Sequence, residues 1–115
     1  MSLPFTLDDV AQAYDKTGLR PARSIWFDDT RHCGCVLYVL VAAKFGAAIA
    51  GKVYGQKDEA AFVAEKLGIS SIEAECIAAG FDDDIPLEDV GRTTKAHDFG
   101  QAAWERVKHL ADAQS

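Results

Sequence analysis

Two thiols and an imidazole stand side by side in this chain, at His32-Cys33-Gly34-Cys35. They open onto a nearly uncharged run, 36–50, in which Lys44 is the one charged residue. A thiolate is the form of cysteine that ligates metals and attacks electrophiles, and a helix N-terminus stabilises it. The chemistry to weigh first is therefore a thiol-based metal or redox site at His32, Cys33 and Cys35, with Cys76 as a further sulfur ligand and Asp28 and Asp29 nearby. Ligand count opposes it. A structural zinc site takes four ligands, commonly with two or more residues between paired cysteines. Here one residue separates the pair, and no second Cys/His pair follows. Cys76 falls on an apolar helical stripe, and a buried cysteine behaves as a small hydrophobe. A Cys33–Cys35 disulfide would close a tight, strained ring. Packing is the preferred reading of these residues, and the thiol site is the alternative.

The other patterns that could carry chemistry are weaker. Gly46-Ala47-Ala48-Ile49-Ala50-Gly51-Lys52-Val53 matches a phosphate-loop motif up to its last position, where Val53 replaces the hydroxyl that binds magnesium. That motif needs a strand before it, and here an apolar helix precedes it. Ala64 to Ser70 has the alanine, turn glycine and capped second helix of a helix-turn-helix. The helix that would read bases, 71–80, carries no Arg, Lys, Asn or Gln for base edges and would turn two glutamates towards phosphates. Asp82, Asp83, Asp84, Glu88 and Asp89 form an acidic break, but Ile85 and Pro86 spoil the spacing of a calcium loop, so a solvated turn is expected. His97 and His109 are too far apart on one helix to chelate an ion together. Glu105 and His109 make an i, i+4 surface pair.

These residues must be positioned by helices. Thr6 caps a helix over Leu7–Thr17, with Asp9 in capping-box position and Gly18 as its stop. Leu7, Val10, Ala11 and Tyr14 give its apolar stripe. The segment 22–28 reads as extended, and 28–30 as a turn. A central helix spans about 34–50, apolar almost all round and hence buried on most sides. Ala42, Gly46 and Ala50 recur four apart on it, a spacing that lets another helix approach closely. A third helix runs over about 58–67. A fourth starts at Ser70 with Glu73 completing its capping box, and shows Ile72, Cys76 and Ala79 as its stripe. The last runs from about Lys95 to Ala113, with Phe99, Ala103, Val107 and Leu110 on its buried face and Trp104 at the edge. The fold expected is all-α: a single domain over residues 1–115, with about five helices around the central one.

Composition bounds the function. At 115 residues the chain is long enough to bury a core without staples. An apolar fraction of 49% with 26% charged residues fits a globular protein. A formal net charge of −6 argues against broad binding to nucleic acid, which needs a basic face. The odd cysteine count and an N-terminus without a basic start or long apolar stretch point to reduced thiols in a cytoplasm. The run 36–50 is shorter than the roughly 20 apolar residues of a membrane span. Tyr14-Asp15-Lys16-Thr17-Gly18-Leu19-Arg20-Pro21, then Trp26, then Cys33 and Cys35 ahead of an apolar helix, then Ala79-Gly80-Phe81-Asp82, resembles a set of small bacterial proteins. The resemblance spans most of the chain and implies no activity, cofactor or site residue.

The function expected is a non-enzymatic protein–protein interaction module, most simply a homodimer, with a homo-oligomer or another protein as its partner. Its interface would be built from Trp26 and the small-residue face at Ala42, Gly46 and Ala50. No cofactor is expected beyond a metal ion under the thiol alternative. DNA binding ranks third.

Overall fold

The computed structural model describes residues 3–83 and 91–112. Helix α1 spans Leu7–Thr17, bounded as the sequence indicates. Thr6 and Asp9 exchange capping-box hydrogen bonds at 3.2 and 2.8 Å, and Gly18 ends the helix at φ 72. Its buried residues are Val10, Ala13 and Tyr14, so the inward face is rotated slightly from the expected stripe, with Ala13 in place of Ala11.

The chain between α1 and the central helix corrects the all-α expectation. Strands β1 (Arg20–Pro21), β2 (Phe27–Asp28) and β3 (Cys33–Gly34) form a small sheet in the order β1-β3-β2. β1 runs parallel to β3 and β2 runs antiparallel to it. Pro21, which has no N–H to donate, sits on an edge strand where none is needed. Gly34, expected as the first residue of the central helix, instead forms the middle strand with Cys33. A side chain at 34 would be crowded, because a Cβ there would lie 3.0 Å from the Trp26 carbonyl oxygen and 3.3 Å from the Tyr38 ring. The chain is therefore mostly helical with a three-stranded sheet.

The central helix is also shorter than expected. α2 spans Val36–Phe45, with Cys35 as its N-cap residue, and stops at Gly46. Gly46 adopts φ 95 and ψ 160, a backbone region that is essentially glycine-only. A short α3 (Ala47–Ala50) and a 3₁₀ turn (Gly51–Gly55) follow. Ala42, Gly46 and Ala50 thus share no helical face: Ala42 and Ala50 are buried on separate elements, and Gly46 is an exposed corner. Periodicity could not reveal this, because alanine and glycine suit both a continuous helix and a broken one. The expectation of an almost wholly buried α2 holds for Val36 to Ala42, each of which is buried.

Helix α4 is Glu59–Leu67, capped by Asp58 and stopped by Gly68 at φ 77. Helix α5 is Ser71–Phe81, with the Ser70–Glu73 capping box formed. Its inner face is Ala74, Cys76, Ile77, Gly80 and Phe81, while Ile72 and Ala79 lie at the margins. Helix α6 is Gly91–Asp112 and packs along α5. Ala96, Ala103 and Val107 are buried, and Phe99, Trp104 and Leu110 are half-buried. Of the acidic break, Asp82 and Asp83 are seen, and residues 84–90 lie outside the described residues, as does the expected terminus of α6 at Ala113.

The close helix approach expected from small residues does occur, but between α5 and α6. A Cβ on Gly80 would lie 2.1 Å from the His97 carbonyl oxygen, and one on Gly100 would lie 2.1 Å from that of Ile77. Each glycine is the notch that admits the other helix's backbone. The same packing occupies the inward face of the helix that a helix-turn-helix would present to DNA. Among the described residues, no helix is long and apolar enough to cross a membrane.

Candidate functional site

The thiols lie inside the molecule. Cys33 is 8% exposed, Cys35 5% and Cys76 0%, and all three are unbridged. The sheet explains the first two: residues two apart on an extended segment point the same way, here into the core. Burial pushes the Cys35 thiol up to about 12. The backbone N–H groups of Leu37 and Tyr38, at the start of α2, pull it down by less, and the Asp82 carboxylate pushes it further up. The helix N-terminus acts in the expected direction, but desolvation wins. The opposing carboxylate is Asp82, from α5's C-cap, rather than Asp28 or Asp29. Tyr14 stands beside these thiols; its hydroxyl donates to the Gly34 carbonyl at 2.8 Å, and its own pKa is raised by burial and by Cys35 and Cys33.

His32 lies on the outside. Its backbone is left-handed at φ 51, so its side chain departs from the line of β3 while Cys33 turns inward. The structure brings Cys33 and Cys35 near Tyr14 but does not gather them into a ligand set with His32 and Cys76. Among the described residues, no three His, Cys, Asp or Glu side chains could hold a metal ion together. Cys76 belongs to the packed inner face of α5.

Trp26 is half-buried rather than freely exposed. Its indole N–H donates to Glu59 Oε1 at 3.0 Å, tying the β1–β2 loop to α4. The same loop is fixed to the α5 terminus. Arg23 Nε donates to the Phe81 carbonyl at 2.8 Å while its guanidinium lies 4.0 Å from the centre of the Trp104 ring. The Ser24 amide donates to Asp82 Oδ1 at 2.9 Å.

A different surface has the features of a binding face. Among the described residues, the large apolar side chains left exposed are Ile25, Phe45 and Tyr54. The Tyr54 hydroxyl is spent on the Phe27 backbone, accepting from its N–H and donating to its carbonyl. Phe45, at the last position of α2, is 42% exposed, and its chain neighbour Lys44 lines a groove between α1, α2 and α4. The groove has a volume of about 350 Å³ and a floor of Phe5, Ala13, Leu40 and Leu67. Lys16 and Lys44 form its wall. Lys16 donates to the Ala43 carbonyl at 2.9 Å, a cation at the C-terminal, electronegative end of α2. Lys44 and Lys66 stand 5.5 and 5.8 Å from the centre of the Phe45 ring. Asp9 also lines the groove, but its carboxylate is held by the Thr6 amide.

Sequence reasoning passed over this face because its parts lie far apart in the chain. The one local signal was the amphiphilic pair Lys44-Phe45 at the end of an otherwise apolar run. Comparisons with protein-family models, curated proteins and solved structures found no match.

Proposed function

We propose that the protein is a non-enzymatic interaction module that holds an apolar, acidic segment of a partner protein in the groove between α1, α2 and α4. The observation that carries this reading is an exposed Phe45 flanked by Lys44 and Lys66, with Lys44 itself in the wall of an apolar-floored groove. An aromatic residue ringed by groups that exclude water is the usual anchor of an interface. Lys16, Lys44 and Lys66 set the sign of the occupant. In a two-fold homodimer through this face, the same lysines would oppose one another, because an isologous interface pairs each patch with itself. An acidic partner gains where a second copy loses, which moves the reading from the simple homodimer to a heterologous partner.

The test is peptide display against the purified protein, with Phe45→Ser as counter-selection. Enriched peptides should combine large apolar with acidic residues, and their affinity should fall at least tenfold on Phe45→Ser and again on Lys44→Glu. Peptides that lack an acidic bias, or that bind Phe45→Ser equally well, would overturn the proposal. A wild-type dimer in sedimentation that Phe45→Ser dissociates would reassign the face to a second copy.

A further inference from the structure

A second cavity shares Lys16 and Ala43 with the partner groove but has its own lining beyond them. Its volume is about 350 Å³, and it lies where the end of α1, the β2–β3 turn and the middle of α2 meet. Leu19, Phe27, Ala42, Ala43 and Ala47 supply an apolar lining. The polar groups in the wall are Lys16, Thr17, Asp29, His32 and Tyr38. A concave, mostly apolar space with a few convergent polar groups is the usual form of a small-molecule site.

Tyr38 is what sets this cavity apart. The residue is 2% exposed, and its ring lies flat against Phe27, with centroids 4.7 Å apart and planes 9° from parallel. Two stacked rings fix the direction of the hydroxyl. Yet that hydroxyl makes no hydrogen bond to the described residues, although no fully buried side-chain N or O among them lacks a partner. The accessible part of Tyr38 therefore includes its hydroxyl, and Tyr38 is one of the residues that line the cavity. A hydroxyl held this rigidly at a cavity wall, with no bond to the described residues, is free to donate to a molecule in the cavity. Burial, with Tyr54 and Asp29 nearby, raises its pKa, so at neutral pH it is a donor.

The balance of donors and acceptors identifies the ligand class. Thr17 is already committed, its hydroxyl donating to the Ala13 carbonyl at 2.8 Å. Lys16 gives one proton to the Ala43 carbonyl, leaving two of the three on its ammonium. Tyr38 adds one more donor. The one carboxylate in the wall, Asp29, sits on an exposed turn at the mouth. The Tyr38 hydroxyl and the exposed Lys16 ammonium, beside an alanine-lined wall, suit one anionic oxygen pair on a short apolar body. A second negative charge on the ligand would meet Asp29. We propose that this cavity binds a small organic monocarboxylate, its oxygens held by the Tyr38 hydroxyl and the Lys16 ammonium and its apolar body laid on Ala42, Ala43 and Ala47.

The experiment is an amide NMR titration of the full chain with benzoate and with propionate, using sodium chloride as the ionic control and butylamine as the opposite charge. One or both carboxylates should give saturable shifts, in the millimolar range, centred on Ala42, Ala43 and His32. Tyr38→Phe keeps the ring and its stack on Phe27, and the spectrum itself reports that the fold is intact. It should weaken binding by about tenfold, as expected for one hydrogen bond to a charged group. Lys16→Met should weaken it by a similar factor, and Phe45→Ser should leave it unchanged, which separates this site from the partner face. The proposal is overturned if neither carboxylate shifts these amides beyond the chloride control. Unchanged affinity in Tyr38→Phe, or tighter binding of butylamine than of either acid, would overturn it equally.

Discussion

Cys35 sits at the junction of three influences whose order the structure ranks. It caps α2, where N–H dipoles favour a thiolate; it is sealed in the core, which disfavours one; and Asp82 adds a like charge. The ordinary thiol value is 9.0, and folding raises it to about 12, so burial outweighs the helix terminus. The consequence is a pH dependence of known sign. The native chain keeps a proton that the unfolded chain releases above pH 9.0. The stability tied to this proton is whole below that pH and is lost progressively as pH rises towards about 12. Within the window the loss is about 1.4 kcal/mol per pH unit for one proton. Tyr14, raised in the same direction, steepens the fall at the alkaline end. Denaturant unfolding at a series of pH values should show a shallower decline for Cys35→Ala than for the wild type; equal slopes would mean that Cys35 is not sealed. At neutral pH the same burial should make Cys35 slow to react with a thiol reagent until the protein unfolds.

At the scale of elements, glycines decide where helices stop and how they meet. Gly46 and Gly51 flank α3, and neither has an atom within 4 Å of where a Cβ would stand. They differ only in backbone. Gly46 is at φ 95, ψ 160, while Gly51 is at φ −61, ψ −19, an ordinary helical conformation. Gly46→Ala should therefore cost about 1–3 kcal/mol through backbone strain alone. Gly51→Ala should be neutral or stabilise by about 0.4–1 kcal/mol, by narrowing the unfolded ensemble. Chemical denaturation midpoints of the two variants should move in opposite directions or differ clearly. A Gly46→Ala protein as stable as the wild type would mean that α2 and α3 can join into one helix, as the periodicity alone suggests.

For the whole molecule, the decisive contact is the crossing of α5 and α6. The reciprocal notches at Gly80 and Gly100 let the two backbones touch. Phe81 edge-on to Trp104, at 5.3 Å, and Arg23 over the same indole lock the crossing to the sheet loop. Gly100→Ala would improve the local helix propensity of α6, yet its methyl group would lie 2.1 Å from the Ile77 carbonyl oxygen. The steric penalty should dominate, with a net loss of about 1–3 kcal/mol. For a domain of this size that lowers the melting temperature by roughly 4 °C per kcal/mol. A thermal melt of Gly100→Ala at or above the wild-type temperature would show that the helices can separate at no cost. Gly80→Ala is expected to behave alike, since its obstacle is also a backbone carbonyl.

Local signals in the sequence determined the ends of α1, α4 and α5. Thr6 with Asp9 and Ser70 with Glu73 satisfy helix N–H groups within their own turn, and Gly18 and Gly68 accept the left-handed backbone that ends a helix. Such choices depend on a few neighbouring residues and survive in any tertiary context. The burial of residues 36–42 was equally legible, since a run without charge has nowhere else to go. The sheet was not. Two-residue strands carry no periodicity, and β3 exists because Trp26, 20–21 and 33–34 meet across loops, with the Cys35 N–H on the Trp26 carbonyl at 2.9 Å. Nor could composition tell Gly46, a helix break, from Gly80 and Gly100, helix notches, because the same missing Cβ serves backbone freedom in one place and close approach in the others. Both candidate sites follow the same division. The thiol cluster was visible as neighbouring letters, and the structure buried it. The groove beside Phe45 joins residues from α1, α2 and α4, the Tyr38 cavity joins residues from α1, the sheet and α2, and only the packed chain brings them together.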